Sequence, residues 1–354
     1  MDKKLEPLFT PWKIGNCEIK NRIVLTSMGG TDLFGWMEIN HFDKAGAKFI
    51  MEVAKNNCGL VLPGCQPVYN PIMGQWLDKN NKMYKDLAKW MPEFHKTGAK
   101  LFVQLTAGFG RSFTVSKMME TLYNTPVVNV LSKPFMNLDK ITASSSPAEN
   151  RWSDKLPSRE MTKKEIDRFI EAFAVSAKKL KDAGVDGVEV HAVHEGYLLD
   201  QFTLLYVNKR TDEYSGSTLD GRTKYPCEVI AAVRKAVGGG FPVAYRFGAC
   251  DYSEGGSAED EAPIAAKKFV EAGADLIDVS GGFCRYTHPT VTEPGWFSSV
   301  SEKIKSAVNV PVLLTGGICT KEDAERLLAE GKADIIGVGR EILKNPDWAK
   351  EALI

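Results

Sequence analysis

Eight short apolar runs recur along the chain, each followed by a longer stretch of helical periodicity, and this repetition limits the fold more than any other feature. The runs are Ile23–Leu25, Leu60–Leu62, Leu101–Gln104, Gly187–His191, Val243–Arg246, Leu276–Val279, Val312–Thr315 and Ile335–Val338. They lack the in–out alternation of a half-exposed strand, as expected for parallel strands covered on both faces. The segments between them are amphipathic. In KKEIDRFIEAFAVSAKKLKDAG, for example, Ile166, Phe169, Ile170 and Phe173 return at helical spacing. Gly98, Gly184, Gly273 and Gly331 close such segments, where a left-handed cap turns the chain toward the next strand. The pattern predicts an α/β fold, a closed (β/α)8 TIM barrel. A doubly wound sheet is the competing arrangement. The count of eight and the lack of an early GxGxxG after a strand disfavour it.

Two segments interrupt the rhythm. WKIGNCEIK reads as an N-terminal hairpin turning at Gly15–Asn16, placed to cover the N-terminal mouth of the barrel. A long insertion after the third strand, about 111–159, contains Pro126, Pro134, Pro147, Pro157 and the serines 144–146. It would be a lid, a substrate wall or a mobile ornament.

The 354-residue length fits either two average domains or one large barrel. The 45 basic and 45 acidic residues balance, which gives no electrostatic case for nucleic acid or an anionic membrane. The polar opening MDKKLEPLFT lacks a signal-peptide core, and no apolar run nears the roughly 20 residues of a spanning helix. A cytoplasmic protein is expected. The seven cysteines, at 17, 58, 65, 227, 250, 284 and 319, are odd in number and form no CxxC pair. Reduced thiols are therefore expected, rather than disulfides or structural zinc.

In such a barrel the reactive groups collect where strands end, at the C-terminal face. HAVHEGYLLDQF follows the fourth strand. His191 and His194 there could donate to a carbonyl oxygen, and Tyr197 could supply a proton. Capping histidines are the plain alternative. A zinc site using both histidines and Glu195 is a third, but it lacks another ligand at suitable spacing. TGGI, with Gly316 and Gly317, follows the seventh strand, and GVGR, with Gly339 and Arg340, follows the eighth. Glycine-rich turns at these positions present backbone N–H groups to a phosphate, or simply permit tight turns. Arg246 ends the fifth strand, where it would meet either a flavin edge or an internal carboxylate. Gln104 ends the third, suited to hydrogen bonding a ring edge or to capping the strand.

Together these segments resemble the Old Yellow Enzyme family of flavin oxidoreductases, closest to its 2,4-dienoyl-CoA reductase and clostridial bile-acid and steroid enoate reductase branch. The resemblance runs from Leu8 to about Trp348 and is carried by LFTPWKIGNCEIKNRIV, HAVHEGYLLDQF, NKRTDEYSGS, GRTKYP, TGGI and IIGVGR. It implies one FMN-binding barrel spanning 1–354, either free-standing or the N-terminal part of a longer reductase. It further implies NADH or NADPH as electron donor, with 4Fe–4S and FAD only if the native chain continues past EALI. The implied reaction moves a hydride to the β-carbon of a small apolar enone or enoyl thioester. Ser27 and Met28 would meet the flavin through backbone, Gln104 and Arg246 would hold its ring, and Gly316, Gly317, Gly339 and Arg340 its phosphate. His191 and His194 would hold the substrate oxygen, and Tyr197 would protonate the α-carbon.

There are departures from the family pattern. Gly29 stands where a flavin-tuning Cys or Thr is usual. Glu195 lengthens the histidine–tyrosine motif. Cys284 or His288 stands where the dienoyl-CoA branch has a substrate-facing histidine. Phe109, Phe113, Tyr123 and Trp152 around the insertion would serve an apolar ligand or pack a lid. The same flavin chemistry run as a desaturase, a flavoprotein that only relays electrons, and a non-flavin phosphate-binding aldolase or isomerase are the other readings. A homo-oligomer or a separate electron-transfer partner would be compatible with any flavin reading.

Overall fold

The computed structural model describes residues 7–35, 39–69, 76–194 and 196–350. Glu195 and the terminal EALI lie outside the described residues. Eight parallel strands form the barrel: β1 (Ile23–Leu25), β2 (Leu60–Val61), β3 (Lys100–Thr106), β4 (Gly187–Ala192), β5 (Val243–Cys250), β6 (Leu276–Gly281), β7 (Val312–Thr315) and β8 (Ile335–Val338). Each pairs with the next, and β8 returns to β1 with Ile336 opposite Ile23 and Val338 opposite Leu25. The predicted strands stand within a few residues of their expected ends. The largest differences are at β5 and β3, which run on beyond Arg246 and Gln104.

The principal helices are α1 (Lys44–Lys55), α2 (Lys82–His95), α3 (Lys163–Asp182), α4 (Leu219–Val237), α5 (Ala262–Glu271), α6 (Ser298–Lys305), α7 (Lys321–Ala329) and α8 (Arg340–Lys344). Among the described residues no helix is long and apolar enough to cross a membrane. A reciprocal capping box between Thr162 and Glu165 sets the start of α3. The four glycines predicted as helix stops all have positive φ, from 73° to 117°.

Alternation along the strands sorts side chains by depth. Val188, Val190, Ile277, Val279 and Val312 pack outward with the helices. The opposite faces fill the barrel. At the N-terminal end Val24, Leu60, Phe102, Ala244, Leu276 and Leu313 form a separate cluster. Ile14 and Ile19, from the hairpin Trp12–Ile14/Cys17–Ile19, complete that cluster. The hairpin is thus the apolar stopper that its sequence suggested. Gly187 makes room for the aromatic plug: a Cβ there would fall 2.5 Å from the Phe102 ring. One step further up, the interior turns polar, with Gln104, Glu189, Arg246 and Asp278 all buried.

The insertion builds a small core of its own from Phe113, Leu138, Ile141 and Leu156, over which Tyr123 packs. Its serine run is a buried tether. Ser144 and Ser145 donate to Gln201 and Ser146 accepts from Lys209, all in the loop after β4. Arg210 locks the same junction through the carbonyls of Ser145 and Met161 and the carboxylate of Asp212.

Candidate active site

Above the polar layer, the C-terminal ends of the strands enclose a cavity of about 580 Å³. Three groups of predicted residues meet there.

The first is a glycine cradle. Gly316 and Gly317 leave β7 with φ of +143° and +66°, and Gly339 leaves β8. A Cβ on Gly317 would lie 2.5 Å from the Trp296 indole, and one on Gly339 would lie 2.8 Å from Met28 Sδ. These turns are narrow because the backbone itself forms the wall. Arg340 follows, its guanidinium 5.6 Å from the Trp296 ring centre, and it forms no ion pair among the described residues. A cation beside exposed backbone N–H groups suits a phosphate.

The second is the floor. Gln104 and Arg246 both line the cavity, as do Ser27, Met28 and Gly29 at the exit of β1. Arg246 meets the internal carboxylate that its sequence position allowed, and it also borders the cavity. Its Nε stands 3.2 Å from Asp278 Oδ2, while its Nη1 donates to the Ser27 carbonyl at 3.2 Å. The hydroxyls of Thr26 and Thr315 are buried without a partner. Orphaned polar atoms of this kind mark a cavity built for a polar guest. A Cβ on Gly29 would meet nothing within 4 Å.

The third is the wall at the exit of β4. The His191 ring stands edge-on to Tyr197 at 4.3 Å and to His194 at 5.9 Å. His194 takes a left-handed φ of 72°, and its Nε2 is hydrogen bonded to Ser280 Oγ at 2.7 Å. His191 Nδ1 has no partner. Burial, reinforced by the nearby Arg246 charge, holds both imidazoles well below 6.5, so they are neutral and each carries one N–H. The Tyr197 phenol is pushed far up, mainly by burial, so it keeps its proton.

Cys284 and His288 do not line this cavity. Cys284 Sγ faces the carbonyls of Cys250 and Arg285, and His288 packs 4.1 Å from the Tyr252 ring. Tyr286, between them in sequence, is the residue that reaches the cavity, edge-on to His194 at 6.0 Å. Of the aromatic residues near the insertion, Phe109 alone contacts Tyr197, stacked at 5.3 Å. Phe113 is buried in the insertion's own core, and Trp152 is 57% exposed. Among the described residues no three His, Cys, Asp or Glu side chains group as a metal site.

Sequence reasoning missed Cys65, Tyr286 and Trp296. Cys65 lies four residues past the end of β2, in the one strand exit whose residues the sequence motifs do not mark. Trp296 and Tyr286 carry no local signal, because a long loop brings them back over the cavity.

Residues 7–353 match the NADH:flavin oxidoreductase / NADH oxidase family. A cinnamate reductase of Clostridium sporogenes is 33% identical over 98% of this chain and 52% of its own. An NADPH dehydrogenase of Clostridium acetobutylicum is 31% identical over 96% of this chain and 92% of its own. Among solved structures, a 2-naphthoyl-CoA reductase superposes with a TM-score of 0.81 at 24% identity, covering 97% of this chain and 51% of its own. The chain thus spans about half the length of several curated relatives it matches.

Proposed function

Because this chain belongs to the NADH:flavin oxidoreductase / NADH oxidase family, we propose that its cavity holds FMN and that it reduces an activated carbon–carbon double bond at the expense of NADH or NADPH. The observation that carries this reading is convergence. The glycine cradle, the Gln104–Arg246 floor and the His191–His194–Tyr197 wall all border one cavity. The donor set suits FMN. Arg340 and the backbone at Gly316, Gly317 and Gly339 would take the phosphate, while Gln104, Arg246 and the β1 exit would take the ring. FMN, when bound, supplies a hydride carrier between the nicotinamide and the β-carbon of an α,β-unsaturated carbonyl compound.

The protein's own share of the chemistry follows from the wall. Neutral His191 and His194 donate N–H bonds to the substrate carbonyl oxygen and favour the negative charge that develops there. Tyr197 delivers its proton to the α-carbon. Phe109 and Tyr286 flank these groups and favour a flat, apolar acyl group, in an enoate, an enone or an enoyl thioester.

The test is the visible spectrum of the purified protein before and after anaerobic NADH or NADPH. A flavin spectrum that bleaches supports the reading. Protein that stays colourless after FMN is added refutes it and favours a non-flavin barrel.

A further inference from the structure

Beneath the cavity the barrel buries two carboxyl groups around a single guanidinium. Glu189 on β4 and Asp278 on β6 are both fully buried. Arg246 lies on β5, the strand between them, directly opposite Asp278 in register. Its Nε approaches Asp278 Oδ2 to 3.2 Å without the alignment of a hydrogen bond. Gln104 Nε2 donates to Glu189 Oε2 at 2.5 Å. The other three carboxyl oxygens, Glu189 Oε1 and Asp278 Oδ1 and Oδ2, have no donor at all. Both carboxyl groups flank the same guanidinium, and each alters the other's hold on its proton.

Two bare carboxylates around one guanidinium in a dry interior would be costly, since each loses water and repels the other. One shared proton resolves the conflict, because an O–H on Glu189 Oε1 gives Asp278 the donor it lacks. The groups facing Glu189 are Asp278 from β6, Arg246 from β5, the neutral Gln104 from β3, and the neutral His191 above it on β4 itself. Asp278, against the guanidinium, is the better anion of the two.

We propose that Glu189 is protonated in the working protein and donates to Asp278, so that the pair balances Arg246 as a single negative charge and positions both Arg246 and Gln104 toward the cofactor. Glu189 and Asp278 are positioning residues, acting through the two side chains that line the cavity. The Gln104 amide is fixed because its N–H is spent on Glu189, which leaves its carbonyl oxygen for a ring N–H donor. Burial, then the Asp278 charge, pushes Glu189 up to about 8, whereas Asp278, drawn back by Arg246, rises to about 6. As pH rises through about 8, Glu189 loses its proton and a second negative charge appears beneath the ring. That charge opposes the anionic reduced cofactor more than the neutral oxidised one.

This inference rests on the cavity being an FMN site, and two measurements keep the two claims apart. The first is the infrared spectrum of the full chain, with FMN and after its removal, in H2O and D2O. The expected result is a carboxylic-acid C=O band at pH 7 that shifts in D2O, fades as pH passes about 8, and is missing in Glu189→Gln. The second is the midpoint potential of bound FMN against pH. The wild type should show an extra downward bend above pH 8. A shift of about one pKa unit between oxidised and reduced protein corresponds to about a tenfold change in relative FMN affinity. Glu189→Gln, which keeps the shape and stays neutral, should lack the bend. Absence of the acid band in wild-type protein at pH 7 overturns the proposal, even if the variant fails to fold. An identical potential profile in both proteins overturns it as well. If FMN never binds, the cofactor reading fails, while the infrared band still decides the protonation of Glu189.

Discussion

The thiol of Cys65 donates a hydrogen bond to the phenol oxygen of Tyr197 across 3.1 Å, joining the exit of β2 to the exit of β4. Both residues line the cavity. The bond occupies an acceptor lone pair of Tyr197 and leaves its own O–H free to turn toward a substrate. Burial pushes the Cys65 thiol up to about 12, so it remains a thiol donor at any working pH.

Tyr197→Phe removes the proposed proton source and leaves the ring packing in place. Oxidation of the reduced protein by an enone should slow by about 10²–10⁴-fold, the range for general-acid loss. Reduction by nicotinamide should change little. Stopped-flow measurement of the two half-reactions checks this, and an undiminished enone rate would remove Tyr197 from the role. Cys65→Ala should cost much less, under about 1.5 kcal/mol for one neutral hydrogen bond.

Thiol labelling offers an independent check on Cys65. Its raised pKa and burial predict that iodoacetamide at pH 8 modifies the exposed Cys319 long before Cys65 in folded protein. Peptide mass mapping over time reads the order. Equal rates would contradict a buried Cys65 thiol.

The histidine pair predicts a pH dependence of stability. Both imidazoles are held well below 6.5 in the fold, while in the unfolded chain they titrate near ~6.5. The unfolded state therefore takes up protons that the folded state refuses once pH falls below about 6.5. Stability is full above that pH and declines below it, by at most about 1.4 kcal/mol per pH unit for each histidine. Urea midpoints measured from pH 8 to 5 should fall more for the wild type than for His191→Ala with His194→Ala. The double variant should also bind an enone more weakly while retaining FMN.

Gly317→Ala places a methyl group where φ is +66° and the Trp296 indole is 2.5 Å away. The backbone must shift, at a cost of about 1–2 kcal/mol for the left-handed conformation alone. Retention of FMN through gel filtration should drop by about tenfold or more, because the altered backbone is the proposed phosphate cradle. Unchanged retention would place the phosphate elsewhere.

Gly29→Cys is expected to behave in the opposite way. A Cβ at this position has open space and needs no positive φ. The variant should fold with an unchanged melting temperature while shifting the midpoint potential of bound FMN. A change in stability without a change in potential would show that Gly29 does not face the ring.

The barrel was legible because each strand–helix unit repeats a local pattern. Apolar runs such as Val312–Thr315 and Ile335–Val338 match β7 and β8 residue for residue, and the hairpin stopper was visible from Gly15–Asn16 between alternating residues. His191, His194 and Tyr197 were legible because they sit within seven residues at one strand end. The same approach misplaced emphasis on Cys284 and His288. Their loop path after β6 turns Tyr286 inward instead, and loop conformation is set by packing rather than by a repeating pattern.

The sequence alone determined how many barrel strands there are, which way they run and that the strand ends from β3 onward border the cavity, because these follow from periodicity and chain direction. Only the tertiary structure decided which groups from different strands touch. Cys65 stands 132 positions from Tyr197, and Asp278 is 32 positions from Arg246 and further still from Glu189. No local propensity encodes such pairs. They exist because closing the barrel brings side chains from every strand into one narrow interior, where burial makes each unpaired charge or hydrogen-bonding group seek whatever partner the neighbouring strands provide.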